Sequence, residues 1–414
     1  MQKVLKEALA IVKPTKDDEA QHRDMVESKL SLLKKAVKGA TVILGGSGEK
    51  GTWLRESTDV DLFVQFPYAK FKDRSDELAD LLEKGVKKAF PKFDRVHGSR
   101  DYFQFFEHER TFEVIPILKI SKAEQAKNIT DVSPLHAAWV KKQGKEYLDE
   151  IRLLKAFCRA HRIYGAESFI NGFSGYVCEV LVIHFGGFRK LITAAKKWGE
   201  KVVLDPADYW KGSDVMMELN SSKTTSPLVI VDPVQADRNA SAAIGADAFA
   251  QFIAACSAFI AKPTVEAFIE RKLTKTDLEK KAGRNDLILI DALPVEGKVD
   301  IVGCKLVKVL DFFSRSLERY GFTVVDKGLS FDGNALLYLI VKKEKMSKLI
   351  EISGPPLAVI AHVKAFKKKH KKTKVKGKKL FAFEKRKYFD GASVISDLKK
   401  DEYLKEKVKR FTLL

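Results

Sequence analysis

An α+β, multidomain protein is what this sequence predicts, and three observations predict it. A strand, a glycine-rich turn, a helix and further strands fill a first mixed unit of about 120 residues. Helical segments then run from Leu135 to about Ala261, and after Lys262-Pro263 the chain returns to mixed structure. The expected domains are therefore 1–134, 135–262 and 263–414. A length of 414 residues with 45% hydrophobic content supports several cores and excludes wholesale disorder.

The elements follow in order. Residues 1–38 place Val4, Leu5, Leu9 and Val12, then Met25, Leu30, Leu33 and Val37, at helical spacing, so two helices broken at Pro14 are expected. TVILGG reads as a short buried strand ending in glycines, and DVDLFVQF alternates as a strand. Residues 74–90 look helical, while DYFQFF and TFEVIPILKI read as strands. EIRLLKAFCRAHRIYG, GYVCEVLVIHFGGFRKLITAAKKW and DAFAQFIAACSAFIA read as an all-α region with a loop insertion at 199–237. GFSGY is a tight helix start with Ser174 placed to cap. Further on, KLVKVLDFFSRSLERYGF is amphipathic, NALLYLIVKK is strand-like, IEISGPPL marks a turn and KLFAFEKRKYF reads as a strand.

Four scattered cysteines, Cys158, Cys178, Cys256 and Cys304, form no CxxC pair, which argues against a disulfide scaffold or a zinc finger and for a reducing compartment. The N-terminus lacks the apolar core of a signal peptide. The longest apolar stretch, Tyr176 to Phe188, carries Glu179 and His184 and is too short to span a bilayer. A cytoplasmic protein without membrane contact is expected.

Lys and Arg number 75 against 55 Asp and Glu, a formal net charge of +20. Residues 364–387 alone supply twelve of those surplus charges, with 13 Lys/Arg against the single acid Glu384. Phe366, Phe381, Phe383 and Tyr388 interleave with them. Like charges this dense point to a polyanion: lysines neutralise phosphates and aromatic faces stack on bases. Lys367, Lys368, Lys369, Lys371 and Lys372 are the candidate nucleic-acid-binding residues.

The sharpest local pattern is Gly45-Gly46-Ser47 followed by Asp59-Val60-Asp61. On a strand Asp59 and Asp61 project to one side, with Val60, Leu62 and Val64 on the other. Two carboxylates forced together call for a cation, and hard divalent ions such as Mg2+ favour carboxylate oxygens. A third acid is expected nearby, with Glu113 the candidate because apolar neighbours frame it; Asp101 and Glu107 are rivals. The turn lets backbone approach a phosphate, Ser47 can hydrogen-bond it, and Lys50 adds charge one helical turn away.

Gly46-Ser47, Asp59-x-Asp61 and Glu113 together resemble the polymerase-beta-like nucleotidyltransferase superfamily. GTWLRESTDVDLFVQFP, SPLHAAWV, RLLKAFCRAHRIYGAESFINGFSGYVCEVL and VIVDPVQADRNASAAI extend the likeness to the archaeal, class I CCA-adding enzymes. That resemblance implies a polymerase-beta-like palm, a helical central domain and a mixed α/β C-terminal RNA-binding region. It implies template-independent addition of the 3′-terminal CCA of tRNA from CTP and ATP, with Mg2+ held by Asp59, Asp61 and Glu113. Ser47 and Lys50 fall at triphosphate-contacting positions, and His136 at a nucleotide-contacting histidine. Lys155 and Tyr164 fall at positions touching phosphates and sugar, and Arg238 at an arginine of nucleotide recognition.

Taken alone, Lys155 reads equally as a solvated helix residue, His136 as a packing histidine and Tyr164 as core. This sequence also departs from the family: Glu113 is longer than the usual aspartate, Lys50 replaces a common arginine, and Glu49 adds an acid beside the expected triphosphate. Those departures leave open an impaired tRNA-binding module. The shared nucleotidyltransferase core leaves open a poly(A)- or oligoadenylate-type polymerase, and the motifs, which do not reveal the stopping point, an enzyme adding only CC or only A. A homodimer is also open.

Overall fold

The computed structural model describes residues 1–414 in two compact units, Met1–Arg271 and Lys272–Leu414. The first begins with helices α1 (Gln2–Val12) and α2 (Lys16–Ala36). Pro14 between them lacks a backbone donor, and Thr15 restarts the helix. Its hydroxyl accepts from the Asp18 amide while the Asp18 carboxylate accepts from the Thr15 amide, a reciprocal cap.

Next come β1 (Thr41–Leu44), α3 (Gly46–Lys50), β2 (Asp59–Pro67), α4 (Tyr68–Phe71), α5 (Leu78–Ala89), β3 (Asp94–Val96), β4 (Tyr102–Glu107) and β5 (Arg110–Lys119). They form a five-stranded sheet in the order β1-β2-β5-β4-β3, antiparallel except for the parallel β2–β5 pair. Alternation along β2 sends Val60, Leu62, Val64 and Phe66 into one core with Val26 and Leu33 of α2 and Leu82 of α5. Each such burial contributes about 1.5–3 kcal/mol, which fixes the face of the strand. Asp59 and Asp61 are left on the opposite side.

The unit continues with α6 (Ser133–Gln143), α7 (Leu148–Ala160), α8 (Gly175–Phe185), α9 (Phe188–Ala195), β6 (Val202–Leu204), α10 (Val215–Glu218), β7 (Leu228–Asp232), β8 (Gln235–Asn239) and α11 (Ala246–Ala261). Ser174 caps α8, its hydroxyl accepting from the Val177 amide at 3.2 Å. The expected all-α region with a loop at 199–237 is corrected here. That stretch holds a three-stranded sheet, β6-β7-β8. β7 is its central strand, and all five of its residues, Leu-Val-Ile-Val-Asp, are buried. A short run of β-branched residues covered on both faces gives no alternation to read.

The second unit comprises α12 (Lys275–Ala282), β9 (Asp286–Pro294), α13 (Val299–Arg319), β10 (Val324–Asp332), β11 (Asn334–Val341), β12 (Leu349–Pro356), α14 (Ile360–Lys369), β13 (Thr373–Lys376), β14 (Lys379–Lys385), α15 (Gly391–Asp397), α16 (Glu402–Lys405) and β15 (Val408–Leu413). An antiparallel sheet, β10-β11-β9-β15, receives Leu306, Val309, Phe313 and Leu317 of α13. A smaller antiparallel sheet runs β12-β14-β13. IEISGPPL is thus strand rather than turn. Ile350 and Ile352 alternate in register with β14, and the ladder shifts only after Ser353. No helix of the chain is long and apolar enough to cross a membrane.

Candidate active site

The parallel register of β2 on β5 pairs Asp59 with Thr111 and Asp61 with Glu113. Side chains opposed across such a pair share a face, so the third acid comes to the side of the first two. Asp59, Asp61 and Glu113 line one cavity of ≈ 260 Å³ with Ser47, Lys50, Lys155 and Tyr164. The rivals are engaged elsewhere. Asp101 accepts from Arg95 at 2.8 Å and meets His97 at 3.0 Å, and Glu107 is paired with Lys29 at 2.5 Å.

The glycine turn is fitted to Asp61. Gly45 donates its amide to the Asp61 carbonyl at 2.8 Å. Gly46 has φ +56°, and a Cβ there would lie 1.6 Å from Asp61 Oδ2. Only glycine allows α3 to start so close to the carboxylate. Ser47 and Lys50 are thereby set beside the acids.

Burial, then the charge of Asp59, pushes the Asp61 pKa up to about 6, against a smaller pull from Lys50. A cation would relieve that repulsion, and the all-carboxylate donor set suits a hard ion. The side chains do not close on one point, however: no group of three His, Cys, Asp or Glu is arranged to hold an ion. Glu113 instead accepts from Gln104 Nε2 at 3.1 Å.

Opposite the acids, α8 supplies a buried carboxylate that sequence reasoning passed over. Glu179 accepts from Lys155 and from Lys50, each at 2.7 Å, and from Thr52 Oγ1 at 2.6 Å. Burial alone would raise its pKa, yet the charges of Lys155 and Lys50 hold it down at about 2. Burial likewise pulls the Lys155 ammonium below its usual value, and Glu179 opposes that. Two lysines on one carboxylate leave a surplus positive charge facing the cavity. Lys155 is buried, so the solvated-face reading of this residue does not hold. Gly175 leaves room here as well: a Cβ would stand 2.9 Å from Tyr164 Oη, so the tyrosine would have to shift.

His136 and Arg238 gather around a second buried acid, Asp232 at the end of β7. His136 Nε2 lies 2.9 Å from one Asp232 oxygen, Tyr176 Oη donates to the other at 2.9 Å, and Arg238 pairs with the same carboxylate. The rings of His136 and Tyr176 stack at 4.0 Å, and Lys50 Nζ sits 5.9 Å from the Tyr176 centroid. Tyr176 and Glu179 share α8, so one helix joins the two clusters. Glu49 is paired with Lys141 of α6 at 3.4 Å. In the second unit, Lys367, Lys368 and Lys369 form the last turn of α14, with Lys371 and Lys372 just after it, all five exposed.

Glu179 and Asp232 left faint signals: a lone acid in an otherwise apolar helix, and an aspartate closing a β-branched run. The lysines of Glu179 and the His136 and Tyr176 of Asp232 are all distant in sequence; only Arg238 is local.

Carboxylates on neighbouring parallel strands, faced by a serine and lysines, are equipped for phosphoryl chemistry, and the chain is a nucleotidyltransferase: residues 26–131 match the nucleotidyltransferase domain. Residues 149–269 match the second domain of tRNA nucleotidyltransferases, and residues 298–410 the C-terminal domain of CCA-adding enzymes. The CCA-adding enzyme of Nanoarchaeum equitans is 33% identical over 360 residues, 87% of each chain. That of Methanocaldococcus jannaschii is 28% identical over 414 residues, covering 97% of this chain and 90% of that one. The chain belongs to the CCA-adding enzyme family. It shares its fold with a solved cytoplasmic RNA terminal U-transferase, at TM-score 0.50 and 13% identity over 66% of this chain and 100% of that one.

Proposed function

We propose that this chain builds or repairs the 3′-terminal CCA of tRNA in the cytoplasm, using CTP and ATP without a template and releasing pyrophosphate. Asp59, Asp61 and Glu113, which line one cavity, are the residues that would hold Mg2+, with Glu113 turning to the ion from its bond to Gln104. When bound, that ion supplies Lewis-acid activation of the attacking hydroxyl and neutralisation of phosphate charge. Ser47 hydrogen-bonds the triphosphate, and Lys50 and Lys155 meet it with their surplus charge. Glu179 keeps both ammonium groups in place before the nucleotide arrives, so little reorganisation is needed at the moment of transfer.

The tRNA 3′ oxygen bonds to the α-phosphorus from the carboxylate side as the bond to pyrophosphate breaks on the lysine side. Tyr164 packs by the sugar. His136 and Arg238, steadied by Asp232 and Tyr176, contact the nucleotide. Residues 1–134 carry the chemistry and 135–262 the nucleotide and primer contacts. Residues 263–414 grip the RNA, with Lys367, Lys368, Lys369, Lys371 and Lys372 on its backbone.

The single observation that carries this reading is the cavity shared by acids from two strands and lysines from two helices. Its test is incorporation of labelled nucleotides into tRNA lacking CCA. CTP alone should add two residues, and CTP with ATP should complete the end. Long adenylate runs, or no incorporation at all, would overturn it.

A further inference from the structure

Four aromatic residues interrupt the basic segment of the second unit, and the fold sorts them into two kinds. Phe366 turns inward from α14, its ring 4.2 Å from that of His370 and within 2.8 Å of where a Cβ on Gly354 would sit. Tyr388 is buried in the core and donates to Asp397 at 2.7 Å. These two are structural. Phe381 and Phe383 are not.

Both lie on β14, the central strand of the β12-β14-β13 sheet, and being two apart they share a face. Leu380 and Ala382 take the other face and are buried; Glu384, on that side, meets His370 of α14 at 2.7 Å. The helix therefore covers one face only. Phe381 and Phe383, like Phe366, are half-exposed and join neither apolar core of the unit, but they lie on the face opposite the one that α14 packs against.

Lysines surround them. Along β14 the open face reads Lys379, Phe381, Phe383, Lys385, with both lysines exposed. Lys374 is the register partner of Phe381. Its Nζ lies 5.9 Å from the Phe383 centroid, and Lys376 Nζ lies 5.4 Å from that of Phe381. The acid beside them, Glu351, is matched by Lys376 at 2.5 Å.

We infer that this open face is a base-stacking platform for tRNA, with Phe381 and Phe383 as its rings. Exposed aromatic faces ringed by ammonium groups suit a partner that is both planar and polyanionic, and a nucleotide is both. Bases within an A-form stem are already stacked and offer no faces. The platform must therefore meet nucleotides outside the stems, a contact the point charges of α14 cannot make. The inference rests on the reading that tRNA is the substrate.

The test uses the full chain, with Phe381→Leu and Phe383→Leu made singly and together, and Phe→Tyr at each position. Affinity for tRNA lacking CCA and for a fully paired RNA duplex is measured across a salt titration, with circular dichroism checking the fold. Each leucine should weaken tRNA binding by about fivefold or more with an unchanged salt slope. Duplex affinity should not move, and tyrosine should restore tRNA binding. Full tRNA affinity in well-folded leucine variants, or an equal loss on the duplex, would overturn the platform while leaving the enzymatic reading intact. A change of oligomeric state in place of RNA affinity would overturn it too. Absence of tRNA binding by the unaltered chain would instead sink the parent reading.

Discussion

The Glu179 carboxylate lies 2.7 Å from the Lys155 ammonium inside the helical region, and its second oxygen lies at the same distance from Lys50. One acid thus aligns two cations drawn from α3 and α7. The arrangement is costly to break, because a buried charge that loses its partner is left uncompensated.

Glu179→Gln follows directly. It should raise KM for both nucleotides roughly tenfold or more, as the lysines lose their alignment. The pH profile should move as well. Glu179 raises the pKa that burial lowers at Lys155, so its loss makes the ammonium surrender its proton at lower pH. The alkaline limb of kcat/KM should shift acidward, which a purely structural lesion would not cause. Stability gives a second readout. With its pKa near 2 in the folded chain against an ordinary 4.5, Glu179 stabilises fully above pH 4.5. That contribution, about 3 kcal/mol, fades as pH falls through 2 and should be missing from the glutamine variant.

Asp61→Asn should separate stability from activity. The folded pKa of about 6 lies above the ordinary 3.8, so the ionised form is penalised in the fold at neutral pH and the penalty eases as pH falls. Asparagine removes the charge. In chelator at pH 7.5 the variant should gain up to about 3 kcal/mol by denaturant melting, while nucleotide incorporation falls by roughly 100-fold or more. A less stable variant that still adds nucleotides would refute the role given to this residue.

The contrast between these acids explains what could be read from the chain alone. Asp59 and Asp61 announce themselves because a strand's period of two puts them together, and the register of β5 then brings Glu113 opposite Asp61. Gly46 is likewise legible as a glycine that something must approach closely. Glu179 and Asp232 are not: Glu179 takes its meaning from partners 24 to 129 residues away, and Asp232 from His136 and Tyr176, 96 and 56 residues away, as much as from nearby Arg238. β7 escapes notice for a different reason: burial on both faces erases the alternation that identifies a strand.

Asp232 is the common support of His136, Tyr176 and Arg238, so these residues should fail together. A double-mutant cycle of Asp232→Asn with Arg238→Ala, read by nucleotide binding, should be non-additive by about 1 kcal/mol or more. Simple addition of the two losses would mean that Arg238 acts independently of the carboxylate.

Lys367, Lys368 and Lys369 stand together on the last turn of α14, exposed and without an acidic partner at hydrogen-bond distance. Three such charges repel one another, and phosphates relieve that repulsion with release of bound counterions. Replacing all three by alanine should weaken tRNA binding and make the plot of log affinity against log salt shallower, by up to roughly 0.7–0.9 for each phosphate no longer neutralised. Incorporation at saturating tRNA should be unchanged, because the substitutions touch neither acids nor nucleotide. An unaltered slope would place the RNA backbone elsewhere and leave this helix end to solvent.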